Sequence, residues 1–513
     1  MSLMNESKIN TLFKVGIILI SLSALVLVFT AGMTQDVSFD AAFNLQVAKS
    51  ISHDLVYAST YNPSYINDYR ITTNGPLQYL CALLLTIFGD RLGLALTLTL
   101  VAFFFLYSAK KYSSLAWLLC ITIIFTSATF SDQLTSFLGE ITALGFLILG
   151  LHTISNAPLS RNEAATLAMG SVFFGFAIST KLISGVVIPF LAFGVCALHQ
   201  PKLTWANFTS TTVRAIAVSL GALGVFIASF YFSSFTSELL VKFLHAGSLE
   251  MPPTAPGLGK FIEHHFWQRS TAAGRYMLHL DSFSNPLTLP LIFLASALLL
   301  VSSIFWAPLV LLCGYILISG MDERRIMLIY FPLLLAAAWY ASKQLRQVSE
   351  TRNQFITSRI MPAAFVATTL LLIAPQIMQK GTRPGLFLQT DKFEKLLSLK
   401  RSDLASFPVN PDIIRMSQII SATPGKVLTS GWWQFPEYQL ASGRNFYDRT
   451  APAPAEQLKG RADLLLLFDK SFKWYPETSI ALCSDVIAEM GDLVFCRFKP
   501  DTRLNLRVGI EES

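Results

Sequence analysis

The stretch Thr34-Gln35-Asp36-Val37-Ser38-Phe39-Asp40-Ala41-Ala42-Phe43-Asn44 opens a polar loop that closes on Arg70-Ile71-Thr72-Thr73-Asn74-Gly75-Pro76-Leu77-Gln78-Tyr79. The loop, 34–76, lies between two apolar segments, so its reading decides how the chain is threaded. Upstream, Lys8 and Lys14 flank an apolar run from Val15 to Thr30 with no convincing small-residue cleavage site after it. That pattern predicts a retained first span over Leu12–Ala31 and not a removed signal. Downstream, Leu77–Phe88 follows Gly-Pro and is shorter than the ~20 residues a helix needs to cross a bilayer. It is expected to be interfacial or re-entrant, lying on the outer surface.

Composition sets the class. Of 513 residues, 53% are hydrophobic and 14% charged, against ~25% charged in soluble domains. The mean hydropathy is +0.51. Apolar runs recur through most of the chain, and in lipid the backbone must satisfy itself within each segment, which predicts a multi-pass helical membrane protein. The net charge of +7 reads as basic cytoplasmic loops and not as affinity for nucleic acid.

With Leu77–Phe88 not crossing, about eleven spans follow. They are Leu12–Ala31, Leu92–Ser108, Leu115–Phe130, Ser136–Ile154, Ala165–Thr180, Leu182–Leu198, Ala215–Phe232, two within Pro286–Gly320 turning near Phe305, Ile326–Tyr340, and Met361–Ile377. Lys110-Lys111, Arg161, Lys202, Arg214, Lys343, Arg346, Arg352 and Arg359 then fall inside, as the positive-inside bias requires. Three groups land outside: Lys181, Arg324-Arg325, and the loop residues Lys260, Arg269 and Arg275 of 233–285. Cations on that side call for an anionic partner.

The domain reading is therefore a transmembrane part, 1–380, and a polar part, 381–513. The second reads as a small mixed α/β domain outside the cytoplasm. Lys426–Thr429, Leu464–Phe468 and Leu493–Phe498 are expected strands and Pro411–Ser421 an expected helix. Cys81, Cys120, Cys196 and Cys313 sit in apolar runs as packing residues. Cys483 and Cys496 lie in the polar part, where a disulfide or two separate thiols are both open readings.

Within the opening loop, Phe39, Ala42, Phe43, Val47 and Ile51 recur at helical spacing, which predicts an amphipathic helix at the membrane surface. Asp36 precedes its first turn and Asp40 sits in it. Acids there offset the helix dipole and cap free N–H groups, and they are equally placed to accept a proton. Glu140 is expected one to two turns inside the fourth span, where an ionisable group usually faces a cavity or a partner. Lys181 either snorkels to the interface or meets an anion. The paired Arg324-Arg325 suit phosphate, whose oxygens match the guanidinium fork. His264 and His265 are adjacent and would not share a helix face. Trp432-Trp433 and Tyr438 are candidates for stacking on a sugar ring or for the domain's core.

Phe39-Asp40-Ala41-Ala42-Phe43-Asn44-Leu45-Gln46-Val47-Ala48-Lys49-Ser50 followed by Thr73-Asn74-Gly75-Pro76-Leu77-Gln78-Tyr79 resembles the first outer loop of GT-C glycosyltransferases. The relatives in view are the protein-mannosyltransferase-like and lipid A aminoarabinose transferases. Leu138-Gly139-Glu140-Ile141-Thr142-Ala143-Leu144 is similar to their acidic motif in the fourth span. Gly175-Phe176-Ala177-Ile178-Ser179-Thr180-Lys181 is similar to their Gly-rich segment ending in lysine. Two departures stand out: Asp36 is followed by Val37 where many relatives carry a second acid, and one proline precedes Leu77 where many have two.

The resemblance implies an all-α polytopic membrane domain with a small C-terminal α/β extracytoplasmic domain, in a bacterial cytoplasmic (inner) membrane with its N-terminus inside. It implies transfer of a sugar, with inversion, from a polyprenyl-phosphate carrier to a glycan, lipid or protein acceptor. Asp40, with Asp36 as rival, would be the base. Lys181, Arg324, Arg325 and Arg275 would hold the donor phosphate, and Glu140 would position the acceptor or help hold a divalent cation, magnesium or manganese, if one is used. A flippase for a lipid-linked sugar is the main competing class. It would show discontinuous helices and inverted repeats, and no internal repeat is visible. A catalytically silent sugar-lipid binder on the same scaffold is the other.

Overall fold

The computed structural model describes residues 6–54, 75–157, 162–197, 204–232, 288–318, 323–351, 391–429, 435–444, 446–448, 463–471, 480 and 482–499. The expected span Met361–Ile377, the outer loop 233–285 and Trp432-Trp433 lie outside them. The chain divides into two compact units. One comprises Met1–Gly32, Thr72–Leu77 and Ala95–Ser398, the other Met33–Ile71, Gln78–Leu94 and Leu399–Ser513.

The first unit is helical. It holds α1 (Glu6–Thr34) up to Gly32, most of α4 (Asp90–Tyr112), α5 (Ser114–Thr126), α6 (Ala128–Thr135), α7 (Glu140–Ser155), α8 (Glu163–Thr180), α9 (Ser184–Cys196), α10 (Trp205–Phe232), α11 (Thr288–Ser302), α12 (Ala307–Ile318) and α13 (Glu323–Thr351). α8 packs between α7 and α10, and α13 lies against α11, α7 and α5. Phe331 of α13 anchors the core, its ring centroid 4.9 Å from Phe130 and 5.9 Å from Phe105.

Four described helices are long and apolar enough to cross a membrane: Val15–Thr34, Asp90–Tyr112, Glu163–Thr180 and Trp205–Ser229. A bent pair makes a fifth if it counts as one span. Of the about eleven spans expected, these four or five are long enough among the described residues, and Glu140–Ser155, Ser184–Cys196, Thr288–Ser302, Ile304–Leu317 and Met327–Lys343 are shorter apolar helices at expected spans. The run Leu115–Phe130 is not one helix. Ser127 ends α5 and starts α6, its hydroxyl accepting from the Phe130 N–H at 3.2 Å, and the axis turns by 90°. Ser131 Oγ donates back to the Ile124 carbonyl at 2.7 Å, satisfying an acceptor that the break exposes. Likewise the helix expected from Ser136 begins only at Glu140, after a turn, because Gly139 takes a left-handed φ of 90°. A glycine holds that conformation without the Cβ penalty other residues meet.

α14 (Asp391–Leu397) closes the first unit; the second contains α2 (Phe39–Asp54), most of α3 (Gly75–Phe88), α15 (Pro411–Ala422), α16 (Pro436–Ser442) and a five-stranded sheet. The strands are β1 (Lys426–Thr429), β2 (Phe446–Asp448), β3 (Leu464–Asp469), β4 (Cys483–Met490) and β5 (Leu493–Phe498), in the order β2-β1-β3-β5-β4. β1 runs parallel to β2 and β3; β5 runs antiparallel to β3 and β4. β3 is central, so both its faces are covered and Leu464–Leu467 reads as an unbroken apolar run. Leu428, Leu466, Phe468, Val494 and Phe498 form one core beside it. Cys483 and Cys496 are disulfide-bonded across β4 and β5.

The segment 33–54 and the sheet belong to this same unit. The Val37 N–H donates to the Pro408 carbonyl at 2.8 Å, and Gln46 Nε2 to the Pro436 carbonyl at 3.0 Å. α2 packs on α16. The expected surface-lying amphipathic helix is thereby corrected: three of its polar residues, Asn44, Gln46 and Ser50, are buried at 5%, 2% and 7% exposure. Buried polar side chains need partners, and the C-terminal residues provide one for Gln46.

Candidate active site

In the first unit three helix ends converge. α7 starts with Glu140, α8 ends with Lys181 as its C-cap, and α9 starts three residues later with Ser184. Lys181 Nζ lies 3.0 Å from Glu140 Oε1, with side-chain exposures of 14% and 5%. Lys181 leaves the helix in an extended conformation while its N–H still donates to the Ala177 carbonyl at 2.9 Å. The Ser184 N–H donates to the Lys181 carbonyl at 2.9 Å, holding the link between α8 and α9 tight. Ser179 and Thr180 spend their hydroxyls on the carbonyls of Gly175 and Phe176. Thr142 Oγ1 and Ser184 Oγ, by contrast, are buried and have no hydrogen-bond partner.

The Gly-Pro that opens α3 is seated at the same place. A Cβ on Gly75 would fall 2.7 Å from the Ser179 carbonyl oxygen. Only glycine allows that approach, so the loop motif and the Gly-rich motif meet two residues from Lys181.

The second unit holds the two aspartates. Asp36 is exposed in the link before α2, and Asp40, half-buried, is in its first turn. Arg91 at the start of α4 is buried and donates to the carbonyls of Met33 (2.9 Å) and Ser406 (3.2 Å), with the Asp403 and Asp36 carboxylates acting on its charge. Glu437, in the first turn of α16, is half-buried. Burial pushes its carboxyl above the ordinary range, and the Asp40 carboxylate pushes it the same way, while its own backbone hydrogen bond pulls it down.

Of the residues expected from sequence, Glu140 and Lys181 are brought into contact. Asp36 and Asp40 lie in the other unit. Arg324 and Arg325 fall in the first turn of α13, with side chains outside the described residues, and Arg275 lies outside them altogether. Thr142, Ser184, Arg91 and Glu437 were not anticipated. Thr142 and Ser184 carried a signal, the first standing inside the quoted acidic motif and the second three residues after the Gly-rich one; Glu437 and Arg91 carried none, because their partners are distant in sequence. Glu140 already faces an ammonium at 3.0 Å, and no group of three potential ligands occurs among the described residues.

No protein-family model matches this sequence, and no curated protein matches it. Solved structures do. ArnT from Cupriavidus metallidurans in the apo state aligns at TM-score 0.53 and 14% identity, over 95% of this chain and 98% of that one. The same protein bound to undecaprenyl phosphate aligns at 0.52 and 14%, over 93% and 97%. The archaeal oligosaccharyltransferase AglB from Archaeoglobus fulgidus, in complex with an inhibitory peptide and a dolichol-phosphate, aligns at 0.49 and 13%, over 96% and 75%. The chain therefore shares the fold of ArnT over nearly the whole length of both proteins.

Proposed function

We propose that this chain is a membrane glycosyltransferase that moves a sugar from a polyprenyl-phosphate carrier to an acceptor outside the cytoplasm, with inversion. The observation that carries the reading is the 3.0 Å contact between Glu140 and Lys181. It unites two short motifs, separated in sequence, that resemble GT-C enzymes individually. The fold likeness supports it, and ArnT has been captured with undecaprenyl phosphate, a carrier of the class proposed here. The Cys483–Cys496 disulfide supports placing the sheet outside a bacterial inner membrane, in an oxidising compartment.

In this reading Asp40, with Asp36 as the alternative, takes the proton of the acceptor hydroxyl while its oxygen attacks the anomeric carbon. The bond to the carrier phosphate breaks on the opposite face, which inverts the centre. The departing phosphate is met by cations, so no strong acid is needed; Arg324, Arg325 and Arg275 are proposed for that role. No step uses a metal.

The test incubates purified full-length protein with a panel of polyprenyl-phosphate sugars and follows release of the carrier phosphate. Release is expected from at least one donor, and Asp40→Asn should slow it by roughly 10²–10⁴-fold, the usual worth of a general base. A folded Asp40→Asn protein with full activity would remove that assignment; binding without release from any donor would favour a silent sugar-lipid binder.

A further inference from the structure

The first unit carries a cluster of cations that the proposed reaction leaves unused. α4 and α13 run side by side in the same direction: the ring centroids of Phe105 and Phe331 are 5.9 Å apart, and Tyr112 stacks on Trp339 at 6.2 Å. Lys110 and Lys111 lie in the last turn of α4, and Lys343 follows Trp339 by about one turn of α13. The three ammonium groups therefore share one end of the unit. Each is seated over a ring: Lys110 over Trp117 at 5.3 Å, Lys111 over Tyr107 at 5.5 Å, and Lys343 over Trp339 at 5.4 Å. A ring attracts an ammonium through its quadrupole and leaves the charge in place, where a carboxylate would cancel it.

No carboxylate does so. Among the described residues none of the three lysines has an ion-pair partner. The sequence holds no Asp or Glu between Arg91 and Asp132, nor from Ile326 to Ser349. Offsetting the dipole at the end of α4 would explain Lys110 and Lys111 alone. Lys343 stands eight residues before the end of α13, beyond the last turn where that effect acts.

The neighbouring surface says which anion fits. On α4, Leu100, Phe103, Tyr107 and Lys111 succeed one another at spacings of three and four and share one helix face. Leu100, Phe103 and Tyr107 are exposed, and the rings of Phe103 and Tyr107 stack at 6.2 Å. An exposed apolar stripe thus leads to the charged end, a layout that matches an acyl chain and its phosphate together. A free anion would use only half of it. Loop charge predicts this end to be cytoplasmic, where anionic lipids give the leaflet a negative surface potential.

We propose that Lys110, Lys111 and Lys343 bind the headgroup of an anionic phospholipid whose acyl chain lies along Leu100, Phe103 and Tyr107. The site requires that these helices lie in a membrane and is independent of the reaction.

The test follows binding of tail-labelled phosphatidylglycerol, or phosphatidylcholine with the same chains, to the full-length protein in nonionic detergent. Wild type should hold phosphatidylglycerol several-fold more tightly. Lys110→Ala, Lys111→Ala and Lys343→Ala should each weaken phosphatidylglycerol by roughly three- to fivefold and leave phosphatidylcholine unchanged. Lys343→Arg, which keeps the charge, should match wild type. So should Arg415→Ala, which removes an exposed cation of the second unit. Phe103→Ser should weaken both lipids, and millimolar inorganic phosphate should displace neither. Equal affinity of wild type for the two lipids overturns the proposal, as does an undiminished preference in the lysine variants that fold. An equal loss in Arg415→Ala would reduce the effect to net charge, displacement by phosphate would make the site one for a free anion, and full binding by Phe103→Ser would leave the acyl chain unplaced; each of these also overturns it.

Discussion

Glu437 shows how a single side chain can matter in a way its own sequence neighbourhood does not announce. Its carboxyl is raised above the ordinary value of 4.5, first by burial and then by the Asp40 carboxylate. The sign follows from linkage. A carboxyl that holds its proton more tightly when folded favours the native state at pH below 4.5, and that advantage is lost as pH rises through its raised native value. Near neutrality the ionised group is therefore a burden on the fold. Glu437→Gln, which keeps the shape and cannot ionise, should raise the unfolding temperature near pH 7 and change it little below pH 4.5. Equal shifts at both, or a fall near neutrality, would mean that the carboxylate is held by partners that favour its charge. Asp40 was legible because a helical period of apolar residues places it in a first turn. Glu437 was not, since its environment is built by α2, far away in the chain, and by burial that no local pattern encodes.

At the scale of elements, the helices were legible and their ends were not. Apolar runs located α4 and α8 well and α10 from Ala215 onward, its first turns from Trp205 having been expected as loop, because hydropathy reports what is buried or lipid-facing. Helix ends depend on capping groups and single backbone conformations. Ser127 breaks one expected span with its own hydroxyl, and Gly139 delays the next by four residues. That delay makes Glu140 the first residue of α7 and not an interior one, and so sets it where Lys181 can reach it. Gly139→Ala should test this. A Cβ at φ 90° costs about 1–2 kcal/mol, and relief by shifting the helix start would move Glu140 away from Lys181. The expected result is a lower unfolding temperature in detergent together with lost donor binding. An alanine variant as stable and as active as wild type would show that the left-handed turn is dispensable. The strands divide in the same way. β1, β3 and β5 announce themselves as buried apolar runs, whereas β4 is an edge strand, largely exposed and interrupted by two register shifts, so its side chains carry no alternation to read.

For the whole molecule, the threading rests on positive loops and the fold on packing, and the two need not divide the chain at the same points. Charge and hydropathy separate a membrane part from a polar tail at about residue 380. Packing instead groups residues 33–71 and 78–94 with 399–513. The reason lies in α2. Ala42, Leu45, Val47 and Ala48 are fully buried, and so are the polar Asn44 and Gln46; a helix with little exposed surface on any side cannot be stable alone. It is anchored through Val37 to Pro408 and through Gln46 to Pro436, and Arg91 ties Met33 to Ser406. The C-terminal residues therefore act as part of the fold that carries Asp40. Ending the chain at residue 398 should leave the helices of the first unit assembled, because their packing partners are retained. It should at the same time expose 33–54 to protease, with cleavage there many times faster than in the full chain, and should abolish turnover. Mass spectrometry of limited digests in detergent reads both outcomes. Protection of 33–54 in the truncated chain would show that α2 holds its structure without the sheet, and would return the candidate base to the membrane part alone.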